Sequence, residues 1–402
     1  MSSYASLLKT PGVARIIAAQ LTARFPFGML SLALLLHVEH VHDSYAAAGL
    51  VLAATSIGQA VAGPLTSRWM GRWAMRPVLI LTSVVCVASL GTIALIVMPV
   101  PLYMAVALLA GLSMPPVQPA VRTIYPKMVN SRQLTPLFSL DASAQEIIWV
   151  LGPVITVFLA IQINTVTAIF VAIGILVVGS AWFIASPEVG RVRIPLSRRK
   201  LGAVLKRPPV LLATVTGFLL IGACAAVEVG VVAAFGEGGT ESGIILAIFA
   251  IGSLIGGLSL GHVPIGPWAL ARRMLGVAIG TSLAILSLEF WWLAGALLIA
   301  GIGIAPALAV MFAIVSASVK FSETAEAYGW VGTGQLIGAA IGSAIAGFVI
   351  DQTGAPGAFV VAAVFAVIGV VVPTVFRRWH PDLRDRDASP IPDTEPIAVQ
   401  PS

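Results

Sequence analysis

The lysines and arginines of this chain are confined to alternate loops of one apolar repeat. Apolar blocks of about 20 residues, the length that crosses ~30 Å of hydrocarbon, recur twelve times along the 402 residues. Of the 23 Lys and Arg residues, all but Arg24 fall in the amino end, the even-numbered gaps between blocks and the carboxyl tail. The odd-numbered gaps carry none and hold six acids, Glu39, Asp43, Glu237, Glu241, Glu289 and Asp351. Lys and Arg are retained on the cytoplasmic side during insertion, so the alternation predicts twelve crossings of a cell (inner or plasma) membrane with both termini in the cytoplasm. A soluble fold does not fit: 10% of residues are charged and 58% hydrophobic, where a globular chain has about a quarter charged.

The spans are predicted near residues 13–37, 45–66, 77–99, 101–122, 137–160, 164–186, 209–235, 242–261, 270–287, 291–317, 326–350 and 356–376. The longest polar gap holds Arg191, Arg193, Arg198, Arg199, Lys200, Lys206 and Arg207 and divides six spans from six. The expected organisation is all-α: an N-terminal six-helix bundle (1–186), a basic cytoplasmic linker (187–208), a C-terminal six-helix bundle (209–378) and a tail (379–402). Five prolines and mixed charge after Trp379 predict disorder in the tail. Internal repetition supports a duplication. "IGQAVAG" (57–63) is matched by "IGSLIGG" (251–257), and "LLAGLSMPP" (108–116) by "LIAGIGIAP" (298–306). The offsets are 194 and 190 residues, in corresponding spans of the two halves.

Composition narrows the function classes. The pI near 9.7 follows from the topology signal, and no separate basic or aromatic-basic patch points to nucleic acid. Cys86 and Cys224 lie within apolar blocks and read as packing residues. No hydrolase triad, nucleotide loop or metal-ligand motif is present, so no enzyme, cofactor or metal centre is expected. The group His37, Glu39, His40, His42 and Asp43 has ligand types without a ligand spacing and reads as a solvated loop. Glycines and alanines at every fourth position, as in Gly334, Gly338, Gly342 and Ala346, predict close helix contact.

Charges at membrane depth cost several kcal/mol each, ~2.5–3.5 on insertion scales, and so require a partner or a watered cavity. Here they are Arg24 in span one, Asp141 and Glu146 in span five, and Glu228 in span seven, with Arg122 near the cytoplasmic end of span four. At ~1.5 Å per residue, Arg24 matches Glu146 in depth and Arg122 matches Asp141. Around span five, Asp141, Gln145 and Gly152 share a face, and Glu146 lies about 140° from Asp141. Two readings stand side by side: Glu146 or Asp141 exchanges protons under the control of Arg24, or these charges form a permanent structural pair. Glu228 has no basic partner in its own half. Trp149 and Trp330 lie deeper than the interfacial tryptophans and, with Gln145 and Gln335, are candidates to line a substrate cavity.

The chain resembles the major facilitator superfamily over nearly its whole length. After span two the family has a Gly-x-Leu-Ala-Asp-Arg-x-Gly-Arg pattern, and here the chain reads "GPLTSRWMGR". Gly63, Leu65, Arg68, Gly71 and Arg72 match; Ser67 stands where the family has its acid, and one extra residue precedes Gly71. The resemblance implies that this loop latches the cytoplasmic side, without its usual acid. Arg122 is a counterpart of an Arg that the family often carries in span four. Gly152–Pro153 matches an element of family antiporters, although the Gly pair that should follow is absent. The resemblance implies a secondary active transporter working by alternating access, with spans one, four, seven and ten lining the path. Proton-coupled efflux of a small organic or amphipathic compound is the expected activity, by a monomer in the lipid bilayer. An importer or symporter of a small metabolite, and a non-transporting sensor or assembly partner that kept the fold, are the alternatives.

Overall fold

The structure is a computed structural model that describes residues 4–197, 199–236, 240–384 and 388–393. Glu237 and Arg198 lie outside them. Eleven described helices are long and apolar enough to cross a membrane: Val13–His42, Tyr45–Trp73, Met75–Leu95, Val100–Lys127, Ser131–Gln162, Thr165–Ala185, Pro208–Phe235, Thr240–Leu260, Phe290–Ser318, Phe321–Thr353 and Pro356–Val375. The twelfth, Ala269–Ala284, is span nine; its 16 residues make a rod of ~24 Å. The spans number one to twelve in chain order and form two bundles of six. The end that carries the basic loops, the linker and the tail is called here the basic face, and the other end the acidic face.

Prolines are expected to interrupt spans one, four, five and ten; they break only one and four, and Pro153 and Pro306 lie inside the continuous helices Ser131–Gln162 and Phe290–Ser318. Span one is two helices, Val13–Arg24 and Pro26–His42, because Pro26 offers no N–H to the turn before it. The second piece runs through the histidine group, so the expected loop at 37–43 is largely helix. His37 is buried there, with Nδ1 3.1 Å from Thr165 Oγ1 and Nε2 3.0 Å from the Ile93 carbonyl. Span four divides at Pro115–Pro116 into Val100–Leu112 and Val117–Ile124.

The internal repeat is a helix crossing used twice. In the first bundle, a Cβ on Gly58 would meet the Leu108 carbonyl oxygen at 2.5 Å, and one on Gly111 the Thr55 oxygen at 2.1 Å. In the second, Gly252 meets the Leu298 oxygen at 2.4 Å and Gly301 the Phe249 oxygen at 2.2 Å. The four residues of one contact map on the four of the other at the offsets of 194 and 190. Spans two and four therefore touch as spans eight and ten do, backbone to backbone. Glycine is required at these points because any side chain would occupy the neighbour's main chain.

The apolar core shows where the bundles join. One buried cluster runs from the basic half of the first bundle through the whole second bundle, including Phe138, Phe312 and Tyr328. A separate cluster, with Met29, Leu34, Cys86 and Ile169, fills the acidic half of the first bundle alone. The halves are thus fused at the basic face. Tyr4 and Ser139 both donate to the Gly257 carbonyl across that seam, at 3.2 and 2.6 Å.

The tail departs from the expected disorder. Leu383 N–H donates to the Ile265 carbonyl at 2.9 Å, and Ile391 pairs with the backbone beside Lys320. Open backbone groups, the carbonyls of Ile265 after span eight and Val319 after span ten and the N–H of Phe321 before span eleven, provide partners that composition does not reveal. Residues 385–387 and 394–402 lie outside the described part.

The glycine stripe of span eleven offers a direct check on packing. A Cβ on Gly338 would lie 2.1 Å from the Phe218 carbonyl oxygen, whereas nothing stands within 4 Å of one on Gly347. Gly338→Ala is expected to lower stability by ~1–3 kcal/mol through overpacking, and Gly347→Ala to leave it unchanged or higher. Thermal unfolding of the two variants in detergent measures the difference.

Candidate functional site

A single buried carboxylate organises the first bundle. Asp141 is fully buried, and four donors reach it from spans one and four. Its Oδ1 accepts from Gln20 Nε2 at 3.0 Å, Arg24 Nη1 at 3.3 Å and the Tyr125 hydroxyl at 3.2 Å. Its Oδ2 accepts from Arg122 Nε at 3.1 Å. Arg24 also donates to Gln20 Oε1 at 2.8 Å and, through Nη2, to Gln145 Oε1. With its amide oxygen turned toward Arg122, Gln118 accepts from both terminal nitrogens of that residue. Arg24 Nε alone among these nitrogens is buried without a partner. Two guanidiniums share one carboxylate, so the charge is held by hydrogen bonds to neutral amides as much as by pairing.

Arg24 therefore pairs with Asp141, not with Glu146 as equal depth suggested. The reason is where span five begins. The helix starts at Ser131, capped by the Asn130 side chain, six residues before the expected 137. Pro136 lies inside this helix, and the carbonyl it leaves unbonded belongs to exposed Arg132 at the water-facing end. Asp141 consequently stands ten residues into its span, and Arg24 eleven into its own. The two are level. Glu146 stands about one and a half turns farther toward the acidic face.

Glu146 faces the other bundle. Its Oε1 accepts from Ser253 Oγ of span eight at 2.9 Å, and Ser253 Oγ in turn accepts from Ala305 N–H of span ten at 3.2 Å. Glu228 is exposed on span seven, between the buried Val227 and Gly230. It lies within electrostatic reach of Glu146. Neither acid forms an ion pair among the described residues. Span five thus presents one carboxylate inward to its own bundle and another across the seam.

Below these acids an aromatic layer closes the basic face. Phe138 of span five, Phe312 of span ten and Tyr328 of span eleven stand edge to face, with centroids 6.2–6.3 Å apart. The Arg122 guanidinium lies 3.4 Å above the Phe312 ring, a cation–π contact between the bundles. Tyr328 holds its place by donating to the Phe312 carbonyl at 3.0 Å.

The loop after span two meets span eleven here. Gly63 and Gly329 face each other backbone to backbone, with the Thr333 hydroxyl beside them donating to the Ala60 carbonyl at 2.6 Å. Ser67, in place of the family's acid, is buried with its hydroxyl unpartnered. Arg68 carries the contact instead. It lies 3.3 Å from Glu326 and donates to the Arg199 carbonyl of the linker. Gly71 packs against the Pro195 carbonyl, and Arg72 is exposed. Glu326 also accepts from Gly202 N–H at 2.7 Å, and Glu323 takes Arg199 at 3.2 Å and Arg207 at 2.7 Å.

Sequence reading singled out neither Glu323, Glu326 nor Gln20. A signal was present for the first two, because they are acids in a region whose loops are otherwise basic. Gln20 lies one turn before Arg24, in reach of its side chain. Among the expected cavity residues, Gln145 binds Arg24 and Trp149 is half-exposed. Trp330 does not join them: it lies beneath the linker, 3.6 Å from a Cβ on Gly202. Gln335 packs beside Gly217, between spans seven and eleven.

The two acids of span five should respond differently to neutralisation. Asp141→Asn leaves two buried guanidiniums without counter-charge and is expected to cost ~3–5 kcal/mol. Glu146→Gln keeps the acceptor for Ser253 and should unfold at the wild-type temperature. Thermal unfolding by intrinsic tryptophan fluorescence compares them.

Known proteins place this architecture. The model of the Major Facilitator Superfamily matches residues 16–290 and 226–399. No curated protein sequence matches the chain. Among solved structures, the human organic anion transporter MFSD10 (TETRAN) superposes with a TM-score of 0.69 at 16% identity, over 90% of this chain and 98% of that one. A bacterial homologue of the iron transporter ferroportin in the outward-facing state gives 0.71 at 13% identity, over 91% and 98%. The proton:xylose symporter XylE bound to 6-bromo-6-deoxy-D-glucose gives 0.71 at 13%, over 94% and 97%. With the family model spanning both bundles, the chain belongs to the major facilitator superfamily, and it is a secondary transporter, not an enzyme.

Proposed function

We propose that the protein exports a small organic or amphipathic compound in exchange for protons, by rocking one bundle against the other. The observation that carries this reading is the pair Glu146 and Glu228, two acids at membrane depth that form no ion pair among the described residues. An acid that moves protons must trade its charge for neutrality during the cycle, and a permanent basic partner would hold it charged. Asp141, held by two guanidiniums, serves as scaffold in this reading; Glu146 and Glu228 serve as the exchanging groups.

The basic face is taken as cytoplasmic by the positive-inside rule. The fused basic face and the separate cores then correspond to a cleft open to the outside. A proton entering there neutralises Glu146 on the oxygen that Ser253 leaves free. Opening of the basic face parts span five from span eight and breaks the Glu146–Ser253 bond. The proton leaves to the cytoplasm, and the vacated carboxylates receive the compound. Apolar and small side chains dominate the remaining walls, which suits an amphipathic cargo. The three solved relatives carry different cargoes by name, an organic anion, iron and xylose, so the shared fold does not choose among them. Gly152–Pro153, the element shared with family antiporters, supports export. One chain holds both bundles and the whole cleft, so a monomer suffices.

Glu146→Gln and Glu228→Gln are each expected to abolish proton-driven flux in proteoliposomes, with at least a tenfold loss when one shuttle step is removed (about 10²–10⁴ for proton transfer). Expression and unfolding temperature should stay at wild-type values. Coupled flux unchanged in both variants would remove the acids from the mechanism. In whole cells, substrate accumulation should rise when an uncoupler is added; a fall would identify an importer, and no substrate-dependent flux at all a non-transporting protein.

A further inference from the structure

The entrance to span eleven gathers contacts from four parts of the chain. From the first bundle, Lys127 Nζ stands 4.5 Å from the centroid of the Phe321 ring, and Arg68 reaches Glu326 at 3.3 Å. From the linker, Arg199 and Arg207 hold Glu323, and Gly202 N–H caps Glu326. Span ten delivers the chain itself through Val319. The fourth part is the carboxyl tail, which neither the fold of the bundles nor the proposed proton path requires.

The tail makes a backbone bridge through Ile391 and side-chain contacts through Asp393. Ile391 N–H donates to the Val319 carbonyl at 2.9 Å, and Phe321 N–H donates to the Ile391 carbonyl at 3.0 Å, a parallel bridge around Lys320. Asp393 accepts from Ser322 N–H at 3.1 Å and from the Ser322 hydroxyl at 2.6 Å. Ser322 immediately precedes Glu323. The strap thus fixes the backbone from Val319 to Ser322, a short irregular turn between two long helices. Fixing it in advance removes conformational entropy that the clamp on Glu323 and Glu326 would otherwise have to overcome. Among the described residues, the hydrogen-bond partners of Ile391 and Asp393 are Val319, Phe321 and Ser322, all of the second bundle, so they act through Phe321, Glu323 and Glu326.

We propose that tail residues 388–393 are a positioning strap for the gate at the basic face, with Ile391 and Asp393 holding the span-eleven entrance in the geometry that the linker and Arg68 clamp. The proposal rests on reading that face as a gate. Without the strap the closed state loses its advantage, and the open population rises.

Distances between spin labels test this in full-length protein in nanodiscs. Cys86→Ala and Cys224→Ala remove the native thiols, and Arg132→Cys with Arg272→Cys places labels on exposed positions of the two bundles. Three proteins are compared: this background, the background with Arg68→Ala and Glu326→Gln, and the background with Ile391→Pro and Asp393→Ala. Proline removes the N–H that Val319 accepts. The strap variant should raise the ratio of long to short distances about fivefold, the factor one net hydrogen bond supplies. Asp393→Asn alone, which keeps an acceptor for Ser322, should behave as the background. If the clamp variant shifts the distances and the strap variant does not, the strap is overturned. If the clamp variant shifts nothing, the gate reading fails first.

Discussion

Asp141 is the point on which the first bundle depends. In lipid an ionised side chain has no water to fall back on, so every charge must be answered by another group of the protein. Asp141 is answered from two spans at once, by Gln20 and Arg24 on one and Arg122 and Tyr125 on the other. The three helices are locked in rotation and depth by this one carboxylate. Arg122, fixed from that side, presents the flat of its guanidinium to Phe312 and so carries the order of the first bundle to the second. The cluster is anchored where the aromatic layer begins.

The two ends of the seam differ in kind. At the basic face, contact is made by rings, by glycine backbones and by a ring of ion pairs around Glu323 and Glu326. At mid-depth it includes two hydrogen bonds, Glu146 with Ser253 and Thr333 with the Ala60 carbonyl. Toward the acidic face the cores separate. A transporter that alternates between two openings needs this asymmetry: a strong closure at one end and a weak, state-dependent contact at the level of the site.

The architecture was legible in the sequence because the membrane imposes it. Span length, charge alternation and glycine spacing are each demanded by lipid, and each survives in the linear code. The repeat at offsets 194 and 190 marked a crossing seen twice, in Gly58 with Gly111 and Gly252 with Gly301. The site was legible in its members and not in its pairings. Depth counted from a helix end inherits any error in that end, and a start six residues early moved Arg24 from Glu146 to Asp141. Partners several spans away, such as Ser253 for Glu146 or Glu326 for Arg68, leave no trace in local spacing. The tail's pairing was hidden for another reason: its stability comes from donors and acceptors left open at helix ends, which composition does not register.

The meeting of Gly63 with Gly329 has a consequence for how the basic face parts. The two glycine backbones interlock with nothing, so the one side chain that must let go beside them is Thr333, whose hydroxyl donates to the Ala60 carbonyl at 2.6 Å. The rest of the resistance falls on the charges beside them, Arg68 and Arg199, which reach from the solvent side to the buried acids Glu326 and Glu323. These pairs are shorter than the ~8 Å over which dissolved ions screen charge at physiological strength, and their acids are buried, so salt weakens them little. The hold on this face is thereby set by direct contact, and it stays nearly constant as the salt of the compartment that bathes it changes.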